Sequence, residues 1–398
     1  MMSVRFHSAF STAVVGVAGG YTAFFNIIPD ELRLAMAGGL GVCLVLVALF
    51  TTPPEDRRSY NVAKVSLVTL AMVLTLSYYF AEPLSNSLQT EANFVGSTTR
   101  LLTVLAAIMY FRFVPQQLPP KLSVAITVAM IAMCAITWIV QGEYVLAGIP
   151  RPFPFTGGAD GIHSSGYSLI SALIATFVLL KTRYLRSSVA LVLILILSFL
   201  ILKYEVRTTW LMLIFFFAAR AVVFIQDRYG KALVLPVFAF FVSAGIFVAI
   251  IIFSQVDLLE FSSGRTSVYV ERLTLILDRN LWQILFGSGA GSEILTSNVW
   301  WWEAKNSHND FIDLTIVSGL VGLFATLSIC ATSLISADRQ QLPVLAALIA
   351  SSLVSNGLLN RPLIAILHLS TMVFAHELRR FPREQNPKSI RAEQELAA

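Results

Sequence analysis

Charge is what this chain has least of. Of its 398 residues only 13% are Asp, Glu, Lys or Arg, while 56% are hydrophobic and mean hydropathy is +0.75. That composition excludes a water-soluble domain of this size and indicates a polytopic membrane protein. Cysteine is scarce too. Cys43, Cys134 and Cys330 lie in apolar runs without metal or disulfide spacing, so they read as packing residues. No Asp-x-Asp occurs, and Asp30-Glu31 alone is a weak cation site, better read as an acidic helix start. No metal and no other cofactor is therefore expected. The glycine-rich run 286–291 is not followed by Lys-Ser/Thr, which excludes a nucleotide loop and leaves a flexible turn. No internal repeat of the kind found in many transporters is visible.

What is present is a series of apolar runs of roughly 17–25 residues, the length that crosses a bilayer as a helix. They fall near 9–28, 34–50, 62–80, 98–114, 122–140, 165–180, 188–202, 208–225, 232–253, 309–335, 342–358 and 362–375. The first follows Arg5 and His7 as a signal peptide would, but it is long enough to span and shows no cleavage site. The expected fold is an all-α polytopic membrane protein of about 12 transmembrane helices. Residues 1–253 hold spans one to nine, 254–307 a long loop with short amphipathic helices, 308–377 spans ten to twelve, and 378–398 a tail.

Lys and Arg orient this plan. Arg57, Arg58, Lys64, Arg112, Lys121, Lys181, Arg183, Arg186, Arg228, Lys231 and Arg339 share one side with Arg5 and the basic tail. By the positive-inside rule that side is the cytoplasm, so both termini are expected inside a bacterial inner membrane. The 81–97 connection, with no Lys or Arg, and the 254–307 loop are then outside. All six tryptophans, Trp301 among them, also fall outside. They read as an interfacial belt; a sharper reading makes them a platform for sugar rings.

Arginine nevertheless recurs on that outer side, at Arg151, Arg207, Arg265, Arg272, Arg279 and Arg361. Arg207 lies in the short link Lys203-Tyr-Glu-Val-Arg207 between two apolar runs. A guanidinium reaching the bilayer centre costs roughly 2.5–3.5 kcal/mol, so its presence needs a reason. Snorkelling or a pair with Glu205 is one; an anionic ligand gripped through two parallel hydrogen bonds is another. Arg361, in Asn360-Arg361-Pro362, is on a similar short link, and Arg265 follows Ser-Ser-Gly264.

The remaining feature is the stretch 300–322, a Trp-rich polar loop that becomes an apolar helix. Ser307-x-x-Asp310 reads as a capping box, predicting a helix start at His308. Thr315, Ser318, Gly319 and Gly322 then line one face with small residues. At a helix N-terminus the dipole disfavours imidazolium, keeping His308 neutral and able to accept a proton. His163, on an outer connection, is a weaker candidate for the same site, and His368 reads as a satisfied core residue.

His308-Asn309, nine residues, Gly319, two residues and Gly322 together resemble the motif of the O-antigen ligase family. The span plan, the long loop, the arginine between spans seven and eight and Ser-Gly-Arg265 are similar to that family as well. The resemblance implies a metal-independent, inverting glycosyltransferase. It would move a glycan from undecaprenyl diphosphate to a sugar hydroxyl on the periplasmic face, in family terms onto lipid A–core. It implies His308 as the base and Arg207 on the diphosphate, both catalytic, with Arg265 a further match. Arg361, Asn309 and Trp301 join them as expected substrate contacts. Expected partners are the lipid-linked donor, lipid A–core or a glycan acceptor, and membrane lipid, with no nucleic acid. A polysaccharide polymerase shares the motif and the donor chemistry. A transporter or flippase is the alternative of another class.

Overall fold

The computed structural model of the chain describes residues 3–53, 56–81, 90–146, 149–158, 161–230, 264–299, 301, 303–354 and 356–377. In hydrocarbon every backbone N–H and C=O must be satisfied within its own segment, so the long apolar runs become helices. In order these are α1 (Val4–Ala23), α2 (Asp30–Phe50), α3 (Arg57–Phe80), α4 (Glu91–Phe113) and α5 (Pro120–Gln141). A β-hairpin follows, β1 (Glu143–Leu146) and β2 (Ile149–Pro152), then α6 (Ile162–Lys181), α7 (Ser187–Tyr204) and α8 (Arg207–Tyr229). Two short helices, α9 (Arg265–Leu277) and α10 (Leu281–Phe286), precede α11 (Asp310–Ser336), α12 (Leu342–Val354) and α13 (Pro362–Glu377).

Eight of these, α2 to α8 and α11, are long and apolar enough to cross a membrane. The helix α1 falls outside that set, and α12 and α13 are shorter apolar helices. The expected ninth span at 232–253 and the tail 378–398 lie outside the described residues. The core is built on α6, 83% of whose apolar window is buried, against α7 and α13. Around it, α13 also packs on α1 and α4, α2 on α4, α8 on α12, and α11 on α3. His368, deep in α13, bonds the Val344 carbonyl (2.8 Å) and Ser171 Oγ (3.4 Å), as a satisfied core residue should.

Local chemistry sets the helix ends that matter for the site. Glu205 takes a left-handed conformation (φ 49°) and ends α7, so α8 can start two residues later at Arg207. Asp30 and Glu31 do open a helix, the first turn of α2, where they complement the dipole. The expected span at 342–358 stops early. The described helix ends at Val354, and from Gly357 the chain makes one tight turn, Leu358–Asn360, before Arg361 and α13.

Three expectations are corrected. The fold is not helical throughout: β1 and β2 pair antiparallel, Glu143 opposite Pro152. The start of α11 is capped by Asn309 and not by Ser307. Asn309 Oδ1 accepts from the N–H groups of Phe311 and Ile312, whereas His308 has φ 61° and lies outside the helix. The small residues of α11 do not form an unbroken packing stripe, because the helix breaks at Gly319 (φ 61°, ψ −166°).

The break explains the glycine run. The chain at 287–290 is buried against the broken helix. Ser288 N donates to Ile316 O and Gly289 N to Val317 O, both at 3.0 Å, and Arg279 Nη1 adds a third bond to Ile316 O. The carbonyls freed by the kink are thus capped from outside the helix. A Cβ on Gly287 would stand 2.2 Å from Val317 O, and one on Gly319 2.4 Å from the Leu285 carbonyl. The run is a wedge between two backbones and not the flexible turn that its composition suggests.

Candidate active site at the converging helix starts

The first turns of α6, α9, α11 and α13 come together around His308. Its left-handed backbone, which costs roughly 1–2 kcal/mol in a non-glycine residue, is held from several directions. Ser307 N donates to Asp313 Oδ1 (2.8 Å), and Ser307 Oγ bonds both the N–H and the carbonyl of Asn309. Tyr269 on α9 donates its hydroxyl to the His308 carbonyl (3.1 Å).

A second set of bonds ties this junction to the link before α13. Asn309 Nδ2 reaches Leu353 O (2.7 Å), and Asn356 Nδ2 reaches Asn306 Oδ1 (2.8 Å). The Asp310 carboxylate accepts from Gly357 N (3.1 Å) and Asn360 Nδ2 (2.5 Å). The loop that carries His308 and the loop that carries Arg361 are therefore one stitched unit. Arg361 is fixed in turn: Nε donates to Ser164 Oγ and Nη1 to Gly357 O, each at 3.1 Å, and its guanidinium lies 4.9 Å over the Tyr167 ring.

Electrostatics around the histidine is one-sided. Burial, with Arg265, Lys305 and Arg361 nearby, pushes the His308 ring down to about 3, so it is neutral at physiological pH. Burial lowers the Arg361 guanidinium as well, while Tyr167 and Asp310 act in the opposite direction. His163, on the first turn of α6, lies within the fields of Arg361, Arg265, His308 and Arg151. Arg151 on β2 is also pushed down by burial and by Arg207, against the pull of Glu205. An anion entering here would meet several fixed positive charges and several helix N-termini.

The predicted residues divide accordingly. His308, Arg265 and Arg361 converge, and the weaker candidate His163 joins them. Arg207 is exposed at the start of α8 and borders the cluster through Arg151. Close packing holds it near α6, since a Cβ on Gly166 would meet Val206 and Thr209 at 3.0 and 3.1 Å. Asn309 is adjacent to the histidine, and both ends of its amide are engaged in the fold. Trp301 is exposed on the loop, and Trp300 and Trp302 lie outside the described residues.

Two of the outer arginines are structural. Arg272 is buried and donates to the carbonyls of Leu295 (2.8 Å) and Thr296 (3.3 Å). Arg279, lowered by burial to about 10, braces the kink of α11. Sequence reasoning missed Lys305, Tyr269, Asp313 and Ser164, and read Asp310 only as half of a capping box. The only signal was for the two aspartates, acidic groups in the first turn of an otherwise apolar helix. Neither a protein-family model nor a curated protein matches the chain.

Proposed function

We propose that the protein is a membrane glycosyltransferase of the O-antigen ligase type. It would transfer a glycan from a polyprenyl diphosphate to a sugar hydroxyl at the periplasmic face of a bacterial inner membrane. One observation carries the reading: a neutral histidine in a fixed, strained backbone faces a cluster of guanidinium groups at the mouth of a helical bundle. The motif formed by His308, Asn309, Gly319 and Gly322 supports it.

In this reading the diphosphate lies among Arg265, Arg361 and Arg207, whose guanidinium forks suit its oxygens. The acceptor hydroxyl meets His308, whose ring takes the proton as the oxygen attacks the anomeric carbon. The bond from that carbon to the diphosphate oxygen breaks, and its electron pair leaves on the diphosphate, where the arginines stabilise the growing charge. No nucleotide enters, because the diphosphate is itself the leaving group. Attack from the face opposite the leaving group inverts the anomeric centre.

The test uses purified protein with a defined lipid-diphosphate donor, offered in turn lipid A–core and a second donor molecule. Transfer to lipid A–core is the expected result; transfer only to the second donor would make the protein a polymerase. His308→Ala and Arg207→Ala should each abolish transfer while the chain still inserts. Arg207→Lys should be impaired, since a point charge does not replace the guanidinium fork. Full activity in either alanine variant would remove that residue from the site.

A further inference from the structure

Beside the His308 cluster, on the other side of Arg361, a cleft of about 580 Å³ opens between α1, α2, α4 and the start of α13. Its lining is divided. Arg33, Arg100 and Arg361 contribute guanidinium groups; Tyr21, Phe25 and Leu34 supply apolar wall. Asp30 is the one carboxylate among the described lining residues, and it is paired with Arg33. The cleft therefore holds two positive charges more than its own acid balances. Arg33 is also stacked 4.2 Å over the Phe25 ring, which fixes the plane of its donors.

Arg100 is the informative member. It lies nine residues into α4, about 14 Å along the helix at 1.5 Å per residue. Among the described residues it forms no hydrogen bond and no ion pair. The groups within its electrostatic reach are Tyr21, Glu293 and Arg361. Glu293 already accepts from Gly291 N (2.7 Å) and Ser97 Oγ (3.2 Å), one bond to each oxygen. Arg100 thus lies at the start of the apolar run 98–114, exposed at the cleft, where a guanidinium needs water or an anion. The cleft admits the water, and its charge calls for the anion. The apolar wall adds a second requirement, because Leu34 is 78% exposed and α2 is the least buried of the eight apolar helices.

We propose that this cleft binds the phosphate head of a membrane lipid. The phosphate lies between Arg33 and Arg100, and the chains leave along α2. The site is distinct from the His308 cluster and meets it at Asn360, Arg361 and Ser164. A transferase with a lipid-linked donor and a lipid-borne acceptor needs two such seats. The cleft would then hold the acceptor lipid, an assignment that rests on the transferase reading; the lipid site itself does not.

The test measures binding of dioleoyl phosphatidic acid to the full chain in detergent by native mass spectrometry, with inorganic phosphate in parallel. Wild-type protein should bind the lipid, and Arg100→Gln should bind it roughly tenfold or more weakly. Arg100→Lys should lose less, and Arg228→Gln, at the far end of α8, should bind as wild type. Size-exclusion elution of each variant at the wild-type position checks that it is folded. Unchanged affinity in Arg100→Gln overturns the proposal. So does inorganic phosphate binding as tightly as the lipid, which would make the ligand a soluble anion. A chain that binds phosphatidic acid through Arg100 yet transfers no glycan keeps the site and loses only the acceptor assignment.

Discussion

His308 offers the sharpest check on the proposed reaction, because its protonation should respond to an anion bound among the arginines. In the free protein burial and three cations push the ring from about 6.5 down to about 3. A displacement of that size corresponds to roughly 5 kcal/mol against the protonated ring. Burial is the larger cause and persists when ligand binds. The part due to Arg265, Lys305 and Arg361 is the part that an anion can cancel. A diphosphate seated among them must therefore raise the pKa, though not restore it fully. The base would gain strength only once the donor is in place. Selective 13C labelling of the histidine rings gives five signals to follow, and His308→Asn assigns the one that matters. Between about pH 8 and pH 4.5 the free protein should show no titration of that ring, whereas added pyrophosphate should bring its onset into view. A midpoint near 6.5 without ligand, or a midpoint lowered by pyrophosphate, refutes the reasoning. The linkage sign is also fixed. The unfolded chain takes up this proton first, so the neutral ring's contribution to stability is full above about pH 6.5 and falls away toward pH 3.

Three further outcomes follow from the packing. Gly319→Ala puts a Cβ 2.4 Å from the Leu285 carbonyl at a φ that only glycine accepts comfortably, so it should destabilise by roughly 3 kcal/mol or more. Thermal unfolding in detergent checks it, and a midpoint equal to wild type would count against the kink. Asp310→Asn replaces an acceptor of two N–H groups by an amide able to clash with one of them, loosening the stitch between the His308 and Arg361 loops. Transfer should fall at least tenfold while the protein still inserts, whereas unchanged transfer would show that the stitch is dispensable. Arg272→Met removes the donor that three strand-like carbonyls of the loop share, at 2.8, 3.3 and 3.5 Å. Limited proteolysis should then cut near 295–305 well before wild type, and equal resistance would contradict the role given to Arg272.

Hydrophobic run length identifies the eight long apolar helices, since it reflects what a bilayer demands of any chain. Residue type also marks the histidine and the arginines that meet it. Three features escape that reading because they depend on partners distant in sequence. Ser307 and Asp310 satisfy the capping-box pattern, yet Asp313 and Gly357 compete for their groups and the cap moves to Asn309. Arg272 and Arg361 are alike as letters on outer connections. Only their neighbours separate them, three backbone carbonyls for one and a serine, a tyrosine ring and an open cleft for the other. The glycines at 287–291 look like slack, and become a wedge only when the break in α11 exposes carbonyls for them to cap.

In the proposed transfer, that wedge also constrains how a bulky substrate would arrive. It enters the bundle nine residues below the first turn of α11, roughly 14 Å down the axis. The segment from α10 to Glu293 is thus riveted into the wall, and swinging it aside like a flap would tear open the backbone bonds at Ile316 and Val317. A long-chain molecule then has no reason to descend from above. It can slide in sideways, between helices, without leaving the oily layer that carries it.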